Sequence, residues 1–172
     1  IRFVFMKKIG LLSDTHSFLD SRIFEYFQDV DQVWHAGDVG SVKLLEELNS
    51  FKPTTAVWGN IDDKNIRSLI PETAFFSVES TNVCITHIAG YPGKFTSKAK
   101  SLIKQYNPDI FICGHSHILK IMNDPVNNLL FINPGACGNE GFHKIKTIMK
   151  FEINGKKIEN MKVIELGKRG FN

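Results

Sequence analysis

Long apolar runs are missing from this 172-residue chain. None approaches the roughly 18 consecutive apolar residues that a membrane-spanning helix needs, which argues against a helical membrane protein. Cysteine is scarce too. Cys84, Cys113 and Cys137 form no C-x-x-C pair, and three is an odd number, so a disulfide framework is not expected. The reading is of reduced thiols acting as small core residues in a cytoplasmic protein. Charge of one sign is also in short supply: the net charge is only +3 and the lysines are dispersed, too little to argue for a nucleic-acid partner. No basic face with interleaved aromatics is visible. Internal repeats, low-complexity tracts and linker-like stretches are absent, so one domain over 1–172 is expected. In the opening "IRFVFMKKIG", Met6 resembles a natural start, with Ile1 to Phe5 an upstream extension too short for a signal peptide.

What the chain does have is a recurring rhythm. Five short apolar segments, "KIGLLSD", "VWHAGD", "TAVWGN", "VCITH" and "DIFICGH", are rich in β-branched and aromatic residues, as strands covered on both faces are. Helical stripes lie between several of them: Ile23, Phe24 and Phe27; Val42, Leu45 and Leu48 behind a Ser41 cap; Ala99, Leu102, Ile103 and Tyr106 ahead of Asn107-Pro108. This alternation predicts an α/β domain. "AFFSVESTNVCITH" reads as a hairpin turning near Thr81-Asn82. After residue 117 the helices cease, and "ILKIMND", "NLLFIN", "KTIMKFEI" and "KKIENMKVIEL" predict a largely antiparallel second sheet, with Asn154-Gly155 as a type I′ turn. Phe75 and Phe76 read as an exposed apolar pair that a homo-oligomer interface would use.

The residues that follow the five strands carry chemistry. In order they are Asp14-Thr15-His16, Gly37-Asp38, Gly59-Asn60-Ile61-Asp62, His87 and Gly114-His115-Ser116-His117. In open α/β sheets ligands bind at the carboxyl ends of strands. Asp14, His16, Asp38, Asn60, His87, His115 and His117 are therefore expected at one edge. Singly, each Asp or Asn is an ordinary cap or turn residue and each His a hydrogen-bonded surface group. Together they include four of the chain's six histidines, which makes a metal site the better reading. Residues i and i+2 on extended backbone face the same way, so His115 and His117, like Asp14 and His16, are expected to aim at one point. Seven ligands exceed the four that one zinc takes and suit two ions about 3.5–4 Å apart.

The set D-x-H, G-D, G-N-x-D, H and G-H-x-H, in this order, resembles the calcineurin-like metallophosphoesterase superfamily, and the short length its small single-domain phosphodiesterase branch. The resemblance implies a four-layer α/β/β/α sandwich of two mixed sheets flanked by helices. It also implies that Asp14, His16, Asp38 and His117 hold one divalent ion and Asp38, Asn60, His87 and His115 the other, with Asp38 shared. Mixed nitrogen and oxygen donors favour Mn2+, with Fe, Zn or Ni as alternatives, over Mg2+ or Ca2+. The expected reaction is hydrolysis of a small phosphate ester by a hydroxide bridging the ions, without a covalent intermediate.

At the third motif the wider superfamily often has G-N-H-[DE], its histidine protonating the leaving group. Here the residue is Ile61, which transfers no proton, and Asp62 stands without its usual partner as a catalytic candidate beside Asp38 and Asn60. Phosphodiesters and activated esters are therefore expected over simple alkyl monoesters. Lys94 in "AGYPGK" and His143 are candidate substrate contacts; His35 reads as structural or as backing a ligand. "NPGA" at 133–136 is expected to bring backbone amides near the site. The alternative function is a non-catalytic scaffold on the same fold, as in the small retromer component; such members tend to lack a metal-site histidine, whereas all seven positions are filled here.

Overall fold

The computed structural model describes residues 6–170; the suggested extension at Ile1 to Phe5 lies outside them. Among the described residues ten strands form two five-stranded mixed sheets. The first contains β1 (Lys7–Leu12), β2 (Gln32–His35), β3 (Thr54–Ala56), β9 (Ile145–Asn154) and β10 (Lys157–Lys168) in the order β10-β9-β1-β2-β3. The second contains β4 (Thr73–Val78), β5 (Thr81–Thr86), β6 (Ile110–Ile112), β7 (Leu119–Asp124) and β8 (Leu129–Pro134) in the order β4-β5-β6-β8-β7. At the heart of each is a parallel trio, β1-β2-β3 in one and β5-β6-β8 in the other.

The period-2 alternation of these strands sorts the core into three layers. Ile9, Leu11, Trp34, Met149, Phe151 and Ile153 of the first sheet meet Val83, Ile85, Ile110, Ile112 and Ile132 of the second. The opposite face of the first sheet (Leu12, Val33, Ala56, Ile148) packs on α1 (Arg22–Tyr26), α2 (Val42–Phe51) and α3 (Lys64–Leu69). The outer face of the second (Cys84, Phe111, Phe131) packs on α4 (Ser97–Tyr106) through Ala99 and Ile103. The result is the four-layer sandwich. The caps are as the sequence suggests: the N–H of Leu44 donates to Ser41 Oγ, and Asn107 ends α4 in the left-handed region at φ 44°. All three cysteines are buried and free, and burial pushes the Cys84 and Cys113 thiols up to about 12. Among the described residues no helix is long and apolar enough to cross a membrane.

Several expectations need correction. The β4–β5 hairpin turns at Glu79-Ser80, not Thr81-Asn82; Thr81 is fully buried, pairs with Val78 and donates its hydroxyl to the Gly155 carbonyl. Asn154 pairs with Lys157, so the last hairpin turns on Gly155-Lys156 with positive φ at Gly155 alone, the Gly-X pattern of a type II′ turn rather than I′. The second half is not a separate antiparallel sheet: β9 joins the first sheet beside β1, and β8 runs parallel to β6. Helix α3, capped by Asp63, was not anticipated, because its six residues show too little periodicity. Phe76 is not exposed but packs edge-on to Trp34, while Phe75 on the other face stacks on Tyr106.

Candidate metal centre

Loops leaving β1, β2, β3, β5 and β6 meet at one edge and are stitched together by backbone hydrogen bonds. Asp14 N–H donates to Gly37 O (2.9 Å), His16 N–H to Asp38 O (3.0 Å) and Gly114 N–H to His87 O (3.0 Å). Two groups of donor atoms result, Asp14, His16 and His117 in one and Asp38, His87 and His115 in the other, each with its atoms within 4.8 Å of one another. Asn60 Oδ1 adjoins the second group, 2.9 Å from His115 Nδ1 and 3.1 Å from His87 Nε2. Asp38 divides its carboxylate between the groups: Oδ1 lies 3.2 Å from His87 Nε2 and Oδ2 lies 3.5 Å from His16 Nε2. Gly59 is required here, since a Cβ on it would sit 2.1 Å from Asp38 Oδ1.

The extended-backbone argument for His115 and His117 fails. Both residues have positive φ, 67° and 57°, and their side chains diverge, one to each group. Asp14 and His16 do share a group, but again from left-handed backbone, at 55° and 46°. Asp, Asn and His are the L-residues that best tolerate this region, so the residue types suit both the donor role and the turns.

The electrostatics favour a cation. Asp14 and Asp38 are 0% and 2% exposed. His16 Nε2 is buried with no hydrogen-bond partner although it faces the Asp38 carboxylate; a cation between the two would satisfy both. Burial lowers the proton affinity of His87, but the hydrogen bond to Asp38 and the charges of Asp14 and Asp38 outweigh it and hold its pKa above the usual value. The cage attracts positive charge. His87 Nδ1 lies 2.8 Å from Ala36 O and donates to it, which leaves Nε2 as the atom facing the centre.

Two buried polar residues frame the loops instead of entering the centre. His35 Nε2–H donates to Thr15 Oγ1 (2.9 Å), whose own hydrogen goes to Val39 O, and His35 Nδ1 accepts from Gly37 N–H (3.1 Å). Both nitrogens are used by the neutral ring, and burial pushes its pKa down to about 4. Asp62, 3% exposed, accepts from the N–H groups of Val39 (3.1 Å), Gly40 (2.7 Å) and Gly59 (2.7 Å). That is the geometry of a clamp between two loops, not of an acid facing substrate. Asp62→Ala leaves these amides without their acceptor and is expected to cost about 3 kcal/mol in urea unfolding of the metal-free protein. A loss below about 0.5 kcal/mol would show that the clamp contributes nothing.

Lys94 is exposed, its Nζ 6.0 Å from the Tyr91 ring centre, and it lines neither cavity beside the centre. His143 contacts the ring of His117, with its Nδ1 3.2 Å from His117 Nδ1. Three positions were missed. Lys120 sits 4.1 Å over Tyr91 and lines the cavity that His115 borders. Arg67 stacks 4.3 Å over Trp58 and donates to the carbonyls of Asp62 and Asn60. Asn133, within the "NPGA" stretch, acts through its side chain, its Nδ2 donating to Gly114 O and Ser116 Oγ. Neither Lys120 nor Arg67 belongs to a motif; only the neighbourhood of Asn133 gave a signal.

Comparison with known proteins shows the family of the chain. The profile of the calcineurin-like phosphoesterase superfamily domain matches residues 6–156. A probable metallophosphoesterase of Methanothermobacter thermautotrophicus is 30% identical over 156 residues, covering 88% of each chain. One of Methanocaldococcus jannaschii is 30% identical over 159 residues, covering 86% of this chain and 77% of the relative. The crystal structure of Entamoeba histolytica Vps29 complexed with Zn2+ superposes with a TM-score of 0.70 at 16% identity, covering 92% of this chain and 98% of that one, a likeness of fold. The Asp, Asn and His donors follow strands of both sheets, and the chain that carries them belongs to the calcineurin-like phosphoesterase superfamily.

Proposed function

We propose that the protein is a phosphodiesterase working with two divalent cations, one held by Asp14, His16, Asp38 and His117, the other by Asp38, Asn60, His87 and His115. The observation that carries this reading is the division of Asp38, one oxygen toward each group of donors. Bound there, the ions would supply the positive charge that lowers the pKa of water and neutralises a phosphoryl group. Mn2+ fits the mixed donor set, with Fe, Zn or Ni as alternatives. Three buried free thiols fit a reducing compartment, the cytoplasm.

Support for a diester comes from what borders the centre. One cavity of about 230 Å³ is bounded by His115, Tyr91, Ile118 and Lys120. Another, of about 380 Å³, is bounded by Asn60, His87, Trp58 and Arg67. A diester has two organic arms, and each cavity offers one arm an aromatic wall and a cation. Ile61 is 44% exposed and supplies no proton, so the chain favours leaving groups that depart unassisted.

The test is hydrolysis of bis(p-nitrophenyl) phosphate by chelator-stripped protein. Activity is expected only after Mn2+ is restored. No hydrolysis with Mn2+, Fe2+, Zn2+ or Ni2+ would overturn the enzymatic reading and favour a binding scaffold on the same fold.

A further inference from the structure

The loop after β8 carries a histidine that the ligand motifs do not include. Because β8 runs parallel to β6, its carboxyl end delivers residues 135–144 to the edge where the donor groups lie. Within this loop His143 makes two contacts through its ring nitrogens. Nε2 lies 2.9 Å from Gly138 O, and Nδ1 lies 3.2 Å from His117 Nδ1. A carbonyl only accepts, so Nε2 of His143 carries the hydrogen in that contact. In the neutral ring Nδ1 is then an acceptor, and the hydrogen between the two rings belongs to His117 Nδ1. His117 is left with a bare Nε2, the atom 3.1 Å from Asp14 Oδ1.

The loop that presents His143 is itself held. Gly138 N–H donates to Asp14 O (3.1 Å), and Arg169, just past β10, donates from Nε to His143 O (2.9 Å). Gly141, at φ 115°, passes so close that a Cβ would lie 2.1 Å from His117 Nδ1. The approach of loop to ring is therefore built into the backbone.

We propose that His143 is a positioning residue: it fixes the tautomer and orientation of His117 and thereby sets the cation affinity of the Asp14–His16–His117 group, leaving the Asp38–His87–His115 group largely alone. The proposal rests on the two-cation reading. His143 does for His117 what the Ala36 carbonyl does for His87, with a side chain in place of backbone. Partners of this kind are typically worth 10–100-fold in metal affinity.

The experiment is calorimetric titration of the stripped full-length protein with Mn2+, with elemental analysis of metal per chain after desalting. Wild type is expected to keep two ions. His143→Phe keeps a ring but offers no acceptor; it is expected to weaken one class of site about 10–100-fold and to keep about one ion. His143→Asn places an amide oxygen where Nδ1 stood and is expected to recover wild-type affinity within a few-fold. Two ions bound by His143→Phe as tightly as by wild type would overturn the proposal. So would loss of both sites together with a fall in the melting temperature of the metal-free protein, since that marks the loop as general support. A wild-type protein that binds no ion refutes the two-cation reading itself, and this inference with it.

Discussion

Replacing Asp38 with asparagine is expected to cost the protein both cations at once, and with them its hydrolytic activity. Asp38 is 2% exposed, and its two carboxylate oxygens face different donor groups, His87 on one side and His16 on the other. Burial raises its pKa, but the hydrogen bond and charge of His87, then Ile61 N–H and His16, outweigh this and hold the group below the usual carboxylate range. Asparagine matches the volume and retains one oxygen for Ile61 N–H, so the loops are expected to keep their places. It lacks the charge and the second oxygen donor. Even an outer partner of a ligand is worth 10–100-fold in affinity, so loss of a shared ligand is expected to exceed about 100-fold at each site. Elemental analysis after desalting reads this directly. His115→Ala, which touches one group alone, is the contrast: it is expected to weaken one ion only. Retention of two ions by Asp38→Asn would remove the shared carboxylate from the account.

The second large effect concerns the substrate. With Ile61 in place of a proton donor, the rate is expected to fall steeply across a series of diesters as the leaving group becomes more basic. General-acid assistance is typically worth 10²–10⁴-fold, and its absence weighs most on poorly departing alkoxides. Ile61 is 44% exposed, and its backbone N–H donates to Asp38 Oδ1 at 3.1 Å, so a group added at this position starts beside the centre. Ile61→His is accordingly expected to flatten the series, raising rates for poor leaving groups by about 10²-fold with little change for p-nitrophenolate. Rates that do not vary with leaving-group pKa in the unaltered protein would contradict this. A proton source would then have to be sought among the other groups lining the cavities.

The strands were legible because each is short, apolar and followed by a polar turn, and the donors were legible because they fall directly after those strands. Three things that bear on the site were not. The backbone at His115 and His117 is left-handed, so an argument from extended geometry sent both rings to one point when they serve two. Sequence spacing gives side-chain direction only when φ and ψ are known. The direction of β8 was also hidden. A six-residue apolar strand reads alike whether parallel or antiparallel, yet its parallel course is what carries His143 to His117. Lastly, Asp62 looked catalytic because it lies in a motif, whereas its carboxylate binds three backbone amides. Motif membership does not separate a residue that touches substrate from one that braces the loop beside it.

The left-handed backbone at Asp14, His16, Asp38, His115 and His117 bears on portability. Each such residue costs of order 1 kcal/mol unless its surroundings impose it. Here the surroundings are the neighbouring loops, so no donor segment is shaped by its own sequence alone. A peptide carrying Gly-His-Ser-His, cut loose from the sheets, relaxes to ordinary backbone and points its imidazoles elsewhere. Transplanting this centre into another protein would therefore mean moving the strand-end frame along with the ligands, and drift in the family can alter the helices and outer hairpins far more freely than the few residues on either side of each donor.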